Sequence, residues 1–207
     1  MAKLNPLQKT DIERDEPVNL GDRAIDNLEF IRETMERSVS FTAVPGYGGI
    51  LMGVTAIAAA YIANGQTRMS DWLVTWLAEA CLAFAIGLLA MWQKSKIAGS
   101  TLFSVPARKF AMSFLPPIIC GVAITLGLYR FGVLAAMIPA WMCCYGAAVV
   151  CGGAFSVRAV PIMGWCFIAL GTVAFVLPAN YGNALMAASF GLLHIVFGIV
   201  IARRYGG

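Results

Sequence analysis

Glu79 and His194 are the residues of this chain that could do chemistry. Each lies inside a long apolar run. A charged side chain at the centre of a spanning helix costs about 2.5–3.5 kcal/mol on insertion scales, so such residues need a reason to be there. His194 is the only histidine, and Asp71 and Glu79 are the only acids beyond residue 38. A carboxyl group and an imidazole that meet set each other's charge and can pass or store a proton. Glu79 and His194 are therefore the candidate intramembrane proton site. The plainer alternative is a neutral Glu79 hydrogen-bonded across helices, with His194 as a second polar link between neighbours. A third reading makes His194 an axial ligand to haem or chlorophyll, because Gly198 one turn along leaves room for a flat ring. A second histidine ligand does not exist in the chain, so a methionine or a single axial ligand would have to serve.

Other chemistry fails on composition or context. Cys81, Cys120, Cys143, Cys144, Cys151 and Cys166 all fall in apolar runs and form no CxxC, so they read as small buried residues rather than a disulfide framework or metal site. Intramembrane serine proteases also carry a histidine on a sixth helix, but they need a serine on the fourth. The fourth run here reads Met142-Cys143-Cys144-Tyr145-Gly146-Ala147-Ala148 and has none. Gly46-Tyr47-Gly48-Gly49 opens an apolar helix rather than following a strand, so it fails the context test for a nucleotide loop. No catalytic residue and no metal or cofactor set is predicted.

The elements that must position Glu79 and His194 are membrane helices. The chain is 59% hydrophobic and 13% charged, against about 25% charged in a soluble domain. Six apolar blocks reach the roughly 20 residues that span a bilayer: about Phe41–Ala63, Trp72–Trp92, Phe110–Arg130, Val133–Phe155, Val160–Leu177 and Asn183–Ala202. None alternates in the manner of a barrel strand.

Orientation follows the basic residues of short loops. Arg32, Arg37, Lys94, Lys96, Arg108, Lys109, Arg158, Arg203 and Arg204 fall on one side, against Arg68 and Arg130 on the other. This predicts a cytoplasmic (inner) membrane protein with an even number of spans and both termini in the cytoplasm. Trp72, Trp92, Tyr129 and Tyr181 fall at predicted interfaces. The net charge of +4 sits at helix flanks and gives no nucleic-acid stripe. No signal peptide is visible in the polar first forty residues.

Residues 1–21 read as a flexible polar tail. Over 22–39, Ile25, Leu28, Ile31 and Met35 recur at helical spacing behind Asp22 as N-cap. This predicts an amphipathic cytoplasmic or interfacial helix. The transmembrane domain is 40–207.

In the first span Gly46, Gly49, Gly53 and Ala56 form a small-residue stripe with a GxxxG at Gly49 and Gly53. In the last, Ala184, Ala187, Gly191 and Gly198 form another that includes His194. Such stripes let helices approach closely. Pro116, Pro117, Pro139 and Pro161 favour bends. A weak parallel repeat aligns Ala43-Val44-Pro45 and Gly48 with Ala159-Val160-Pro161 and Gly164.

Five stretches are familiar together: Phe30-Ile31-Arg32-Glu33-Thr34-Met35-Glu36; Ser40-Phe41-Thr42-Ala43-Val44-Pro45-Gly46; Pro106-Ala107-Arg108-Lys109-Phe110; Gly153-Ala154-Phe155-Ser156-Val157-Arg158; and His194-Ile195-Val196-Phe197-Gly198 through Arg203-Arg204-Tyr205-Gly206-Gly207. Over roughly residues 25–207 the chain resembles a bacterial family of six-span membrane proteins with no established activity. The resemblance implies the architecture and carries over no catalytic residue.

The expectation is an all-α membrane protein: a bundle of six transmembrane helices preceded by a cytoplasmic amphipathic helix. Its expected role is a non-enzymatic accessory or scaffold subunit, partnered by the lipid bilayer and by other membrane subunits or copies of itself. A proton-linked small-molecule transporter using Glu79 and His194 is the alternative.

Overall fold

The computed structural model describes residues 20–38, 42, 44–97 and 104–206, and its elements are all helices. Residues 1–38 and 39–207 form two separate units. The first holds α1 (Leu20–Ser38). Residues 23–31 of α1 are all exposed, with Ile25, Leu28 and Ile31 along one side. The tail expected before it lies outside the described residues as far as residue 19.

The second unit holds α2 (Gly46–Asn64), α3 (Met69–Ile97), α4 (Val105–Arg130), α5 (Leu134–Gly153), α6 (Ala159–Ala174) and α7 (Ala179–Tyr205). Five of these, all but α6, are long and apolar enough to cross a membrane. At 16 residues and a rise of ~1.5 Å each, α6 is only about 24 Å long, short of a ~30 Å hydrocarbon core. The sequence predicted it to run to Leu177. It ends at Ala174 because Leu177 precedes Pro178, which disfavours the α conformation, and the bonds Phe175 N–H to Thr172 O and Val176 N–H to Val173 O tighten its last turn. Phe41 and Ala43, at the predicted start of the first span, lie outside the described residues.

Several prolines and glycines act as punctuation. Pro45 stands extended as the residue before α2. Pro116 and Pro117 lie inside α4, which continues past them. At its end Val133 N–H bonds Leu128 O and Gly132 N–H bonds Tyr129 O. Gly132 takes φ +69° there, the left-handed residue that this helix stop requires.

The helices pack in a fixed order of neighbours: α3 on α2, α2 on α7, α7 on α6, α6 on α5, α5 on α4. The two hairpins of the weak repeat do not correspond in packing, since α6 lies chiefly along α5 whereas α2 lies along α7 and α3. Glycines bring the central pairs together. A Cβ on Gly53 would sit 2.5 Å from Gly191 O, and one on Gly198 would sit 2.8 Å from Gly46 O. The α5–α6 pair is as tight: Cβ atoms on Gly146 and Gly164 would lie 2.8 and 2.7 Å from each other's carbonyl oxygens. Without a hydrophobic drive between helices in lipid, this close van der Waals packing is what holds them. The outer helices differ. Only 11% of the most apolar window is buried in α3, and the same holds for α4.

At one end Lys94 ties three segments: its Nζ donates to Val44 O, Tyr205 O and Gly206 O. An ammonium at the C-terminal carbonyls of α7 also suits the helix dipole.

Candidate functional site

His194 sits where α7 changes its winding. The helix is α over Gly182–Met186, π over Ala187–Leu193, and α again from His194 to Tyr205. Single π turns concentrate at functional sites because they re-aim side chains and loosen the carbonyl ladder. The His194 ring is 5% exposed and faces α5 and α6. Tyr145 Oη lies 2.7 Å from His194 Nε2. Phe167 of α6, Tyr145 of α5 and Phe190 of α7 surround the ring at centroid distances of 5.4, 5.5 and 6.2 Å, with Phe190 nearly parallel to it. Phe114 of α4 closes the shell edge-on to Tyr145.

Nδ1, the second ring nitrogen, is buried and has no hydrogen-bond partner among the described residues. The Tyr145–His194 contact is a hydrogen bond that links α5 and α7. Haem ligation fits poorly: Nε2 is already occupied and aromatic rings fill the space beside it.

Glu79 is placed elsewhere. It is 9% exposed, on the α3 face that meets α2, where Thr55 Oγ1 lies 2.8 Å from Glu79 Oε1. Among the described residues no hydrogen bond joins Glu79 to His194; α2 stands between their helices, packing on α3 by one side and on α7 by the other.

The small-residue stripes take these positions. Gly46 packs on Ala202, Gly49 on Gly198, Gly53 on Gly191 and Ile195. Ala56 is buried, Ala187 is half-buried, and Ala184 is exposed. His194 shares this helix but turns its ring away from α2, while its carbonyl oxygen approaches Gly49.

Sequence reasoning missed two features. Tyr145 was one residue of an apolar run, yet it is the only tyrosine near the middle of a predicted span, and that was the available signal. The second is a tryptophan cluster at the opposite end from Lys94. The indole N–H groups of Trp72 and Trp76 donate to Asn183 Oδ1 at 2.8 and 3.3 Å. Trp72 stacks on Trp141 at 5.6 Å, and Trp141 donates to Thr125 Oγ1 at 2.7 Å. Trp72, predicted to face an interface, is thus buried and joins α3 to α5 and α7, because two indoles find one polar acceptor there. Trp92, Tyr129 and Tyr181 are exposed. Among the described residues no His, Cys, Asp or Glu group could hold a metal ion.

Comparisons with family models, with curated proteins and with solved structures found no match.

Proposed function

We propose that the chain is a six-span protein of a bacterial inner membrane, both termini cytoplasmic and α1 on the cytoplasmic side, serving as a non-enzymatic accessory or scaffold subunit. The observation behind this reading is the division of the polar interior. Glu79 ends on Thr55 and His194 on Tyr145, each a link between two helices. Polar links of this kind pin neighbouring helices, at about 0.6 kcal/mol each on average, and need no shared path. The apolar outer faces of α3 and α4, including Leu77, Phe84, Leu88, Ile119, Val122 and Leu126, leave ample surface for lipid and for neighbouring subunits. For α6 to count as the sixth span, the bilayer must thin locally or neighbouring residues must complete it, both of which cost little per ångström.

The test is extraction in mild detergent followed by native mass measurement. The expected result is an assembly larger than the 22.1 kDa chain. A clean monomer with nothing bound overturns the reading.

A second reading, proton-linked transport, draws on the burial of two titratable groups at helix seams. In proteoliposomes carrying a pH-sensitive dye, Glu79→Gln and His194→Ala would each abolish a flux driven by a pH gradient. Unchanged flux in both eliminates it. Pigment or haem at His194 would show as a visible absorption band in the purified protein.

A further inference from the structure

We propose that Glu79 is held as a neutral carboxylic acid that donates its proton to Thr55 Oγ1, which makes the α2–α3 seam a site for one proton. The inference comes from counting hydrogens. Thr55 has one hydroxyl hydrogen. Its Oγ1 lies 2.9 Å from Met52 O, 3.3 Å from Leu51 O and 2.8 Å from Glu79 Oε1. Helical threonines in lipid characteristically donate back to the carbonyl one turn earlier, and the carbonyl of Met52 can only accept. One hydrogen cannot serve Met52 O and Glu79 together: either Thr55 donates to an ionised Glu79, or it keeps its hydrogen on Met52 O and meets Glu79 as an acceptor, which is the arrangement proposed. A 2.8 Å oxygen–oxygen contact then requires a hydrogen on Glu79.

The surroundings favour the same arrangement. An ionised carboxylate taken from water needs a counter-charge or several donors. The titratable side chains of α2 are Tyr47 and Tyr61, both exposed, and α2 carries no Lys, Arg, His, Asp or Glu. Within a turn on α3 stand Thr75, Trp76, Leu82 and Ala83. The Thr75 hydroxyl donates to Asp71 O. Among the described residues a carboxylate at this seam would have Thr55 as its one donor, and only if Thr55 gave up Met52.

The site thus has two states. With the proton present, hydrogen bonds run Glu79 to Thr55 to Met52 O. On proton loss the Thr55 hydroxyl must swing from Met52 to Glu79, leaving Met52 O with its backbone bond alone and an anion between two helices. This holds whether or not the protein moves a solute.

Infrared spectroscopy of the full chain in lipid at neutral pH tests it. Subtracting the Glu79→Gln spectrum from wild type should isolate one carbonyl stretch of a hydrogen-bonded carboxylic acid. Thr55→Val should keep that band and move it to higher frequency, since the acid has lost its acceptor. The proposal fails if the subtraction isolates the paired stretches of a carboxylate instead. If Glu79→Gln does not fold, the Thr55→Val arm decides alone: a shifted acid carbonyl supports the site, and an unmoved spectrum overturns it.

Discussion

The two buried ionisable groups are accommodated in opposite ways. His194 is enclosed. Rings from α5, α6 and α7 surround it, and glycines draw those helices together around it. Glu79 sits at a seam one helix deep. It has a hydroxyl on α2 in front of it and, behind it, a helix whose outer face is apolar and open. A polar group survives in hydrocarbon when its hydrogen bonds are met inside the protein. The His194 side meets that condition at Nε2 alone, through Tyr145 inside rigid packing, and the Glu79 side meets it with one adaptable contact. The enclosed site should therefore be the intolerant one.

The largest effect is expected at the α5–α6 contact beside Tyr145. In Gly146→Val the new Cβ would lie 2.8 Å from Gly164 O and 2.9 Å from Ile168 N. Neither backbone atom can move without parting the two helices, and that parting would separate Tyr145 from Phe167. Overpacking of this kind costs typically about 1–3 kcal/mol, with backbone clashes at the upper end. The expected loss is about 3 kcal/mol, read as a drop in the denaturant midpoint in mixed micelles. A midpoint matching wild type would mean that the α5–α6 contact is not what holds the enclosed site.

Next comes Tyr145→Phe. The ring and its aromatic contacts remain, but His194 Nε2 loses its hydrogen-bond partner inside a closed shell. A buried polar atom left unpaired costs about 1–3 kcal/mol. The same measurement on Glu79→Gln should show a far smaller change, since an amide can still bond Thr55. Equal losses at the two sites would erase the contrast between them.

The sequence disclosed the helices and the two ionisable groups because their signals are local. Apolar run length marks a span, and a lone Glu or His stands out within one. It also disclosed that α2 and α7 each carry a close-packing face, because the stripe from Gly46 to Ala56 and the one containing Gly191 and Gly198 each lie on a single helix, but not that the two faces meet each other. It did not disclose the α5–α6 contact, although Gly146 and Gly153 recur at the same interval as Gly164 and Gly171. Such spacing shows that a helix can pack closely and says nothing of which helix it meets. The meeting of His194 with Tyr145 comes directly after the π turn at Ala187–Leu193. That winding has no local sequence signature. The early stop of α6 was legible in Pro178. The apolar run through Leu177 masked it, because hydropathy does not register a backbone that cannot continue.

A finer comparison is the coupling across each hydrogen bond. Double-mutant cycles for Thr55→Val with Glu79→Gln should give about 0.6 kcal/mol, the membrane average. Tyr145→Phe with His194→Phe should exceed that, because the enclosed pair has no lipid or water to turn to. A Thr55–Glu79 coupling equal to or above the Tyr145–His194 value would reverse the ranking of the two sites.

The smallest effect is the most discriminating for the seam itself. A Cβ on Gly87 of α3 would meet Met52 Sδ at 3.3 Å. That sulfur is the flexible end of an unbranched side chain, able to move by a few tenths of an ångström at little cost. Alanine also has the better helix propensity, by about 1 kcal/mol in water. Gly87→Ala should therefore leave the unfolding midpoint unchanged or raise it slightly. On the other side of α2, Gly53→Ala would drive a Cβ to 2.5 Å from Gly191 O and should lower the midpoint clearly. Both changes add one methyl group to a glycine at a contact made by α2, so the difference between them measures how much give each face has. If Gly87→Ala destabilises as much as Gly53→Ala, the α2–α3 seam is as rigid as the α2–α7 contact, and Glu79 owes its place to packing rather than to one adaptable hydroxyl.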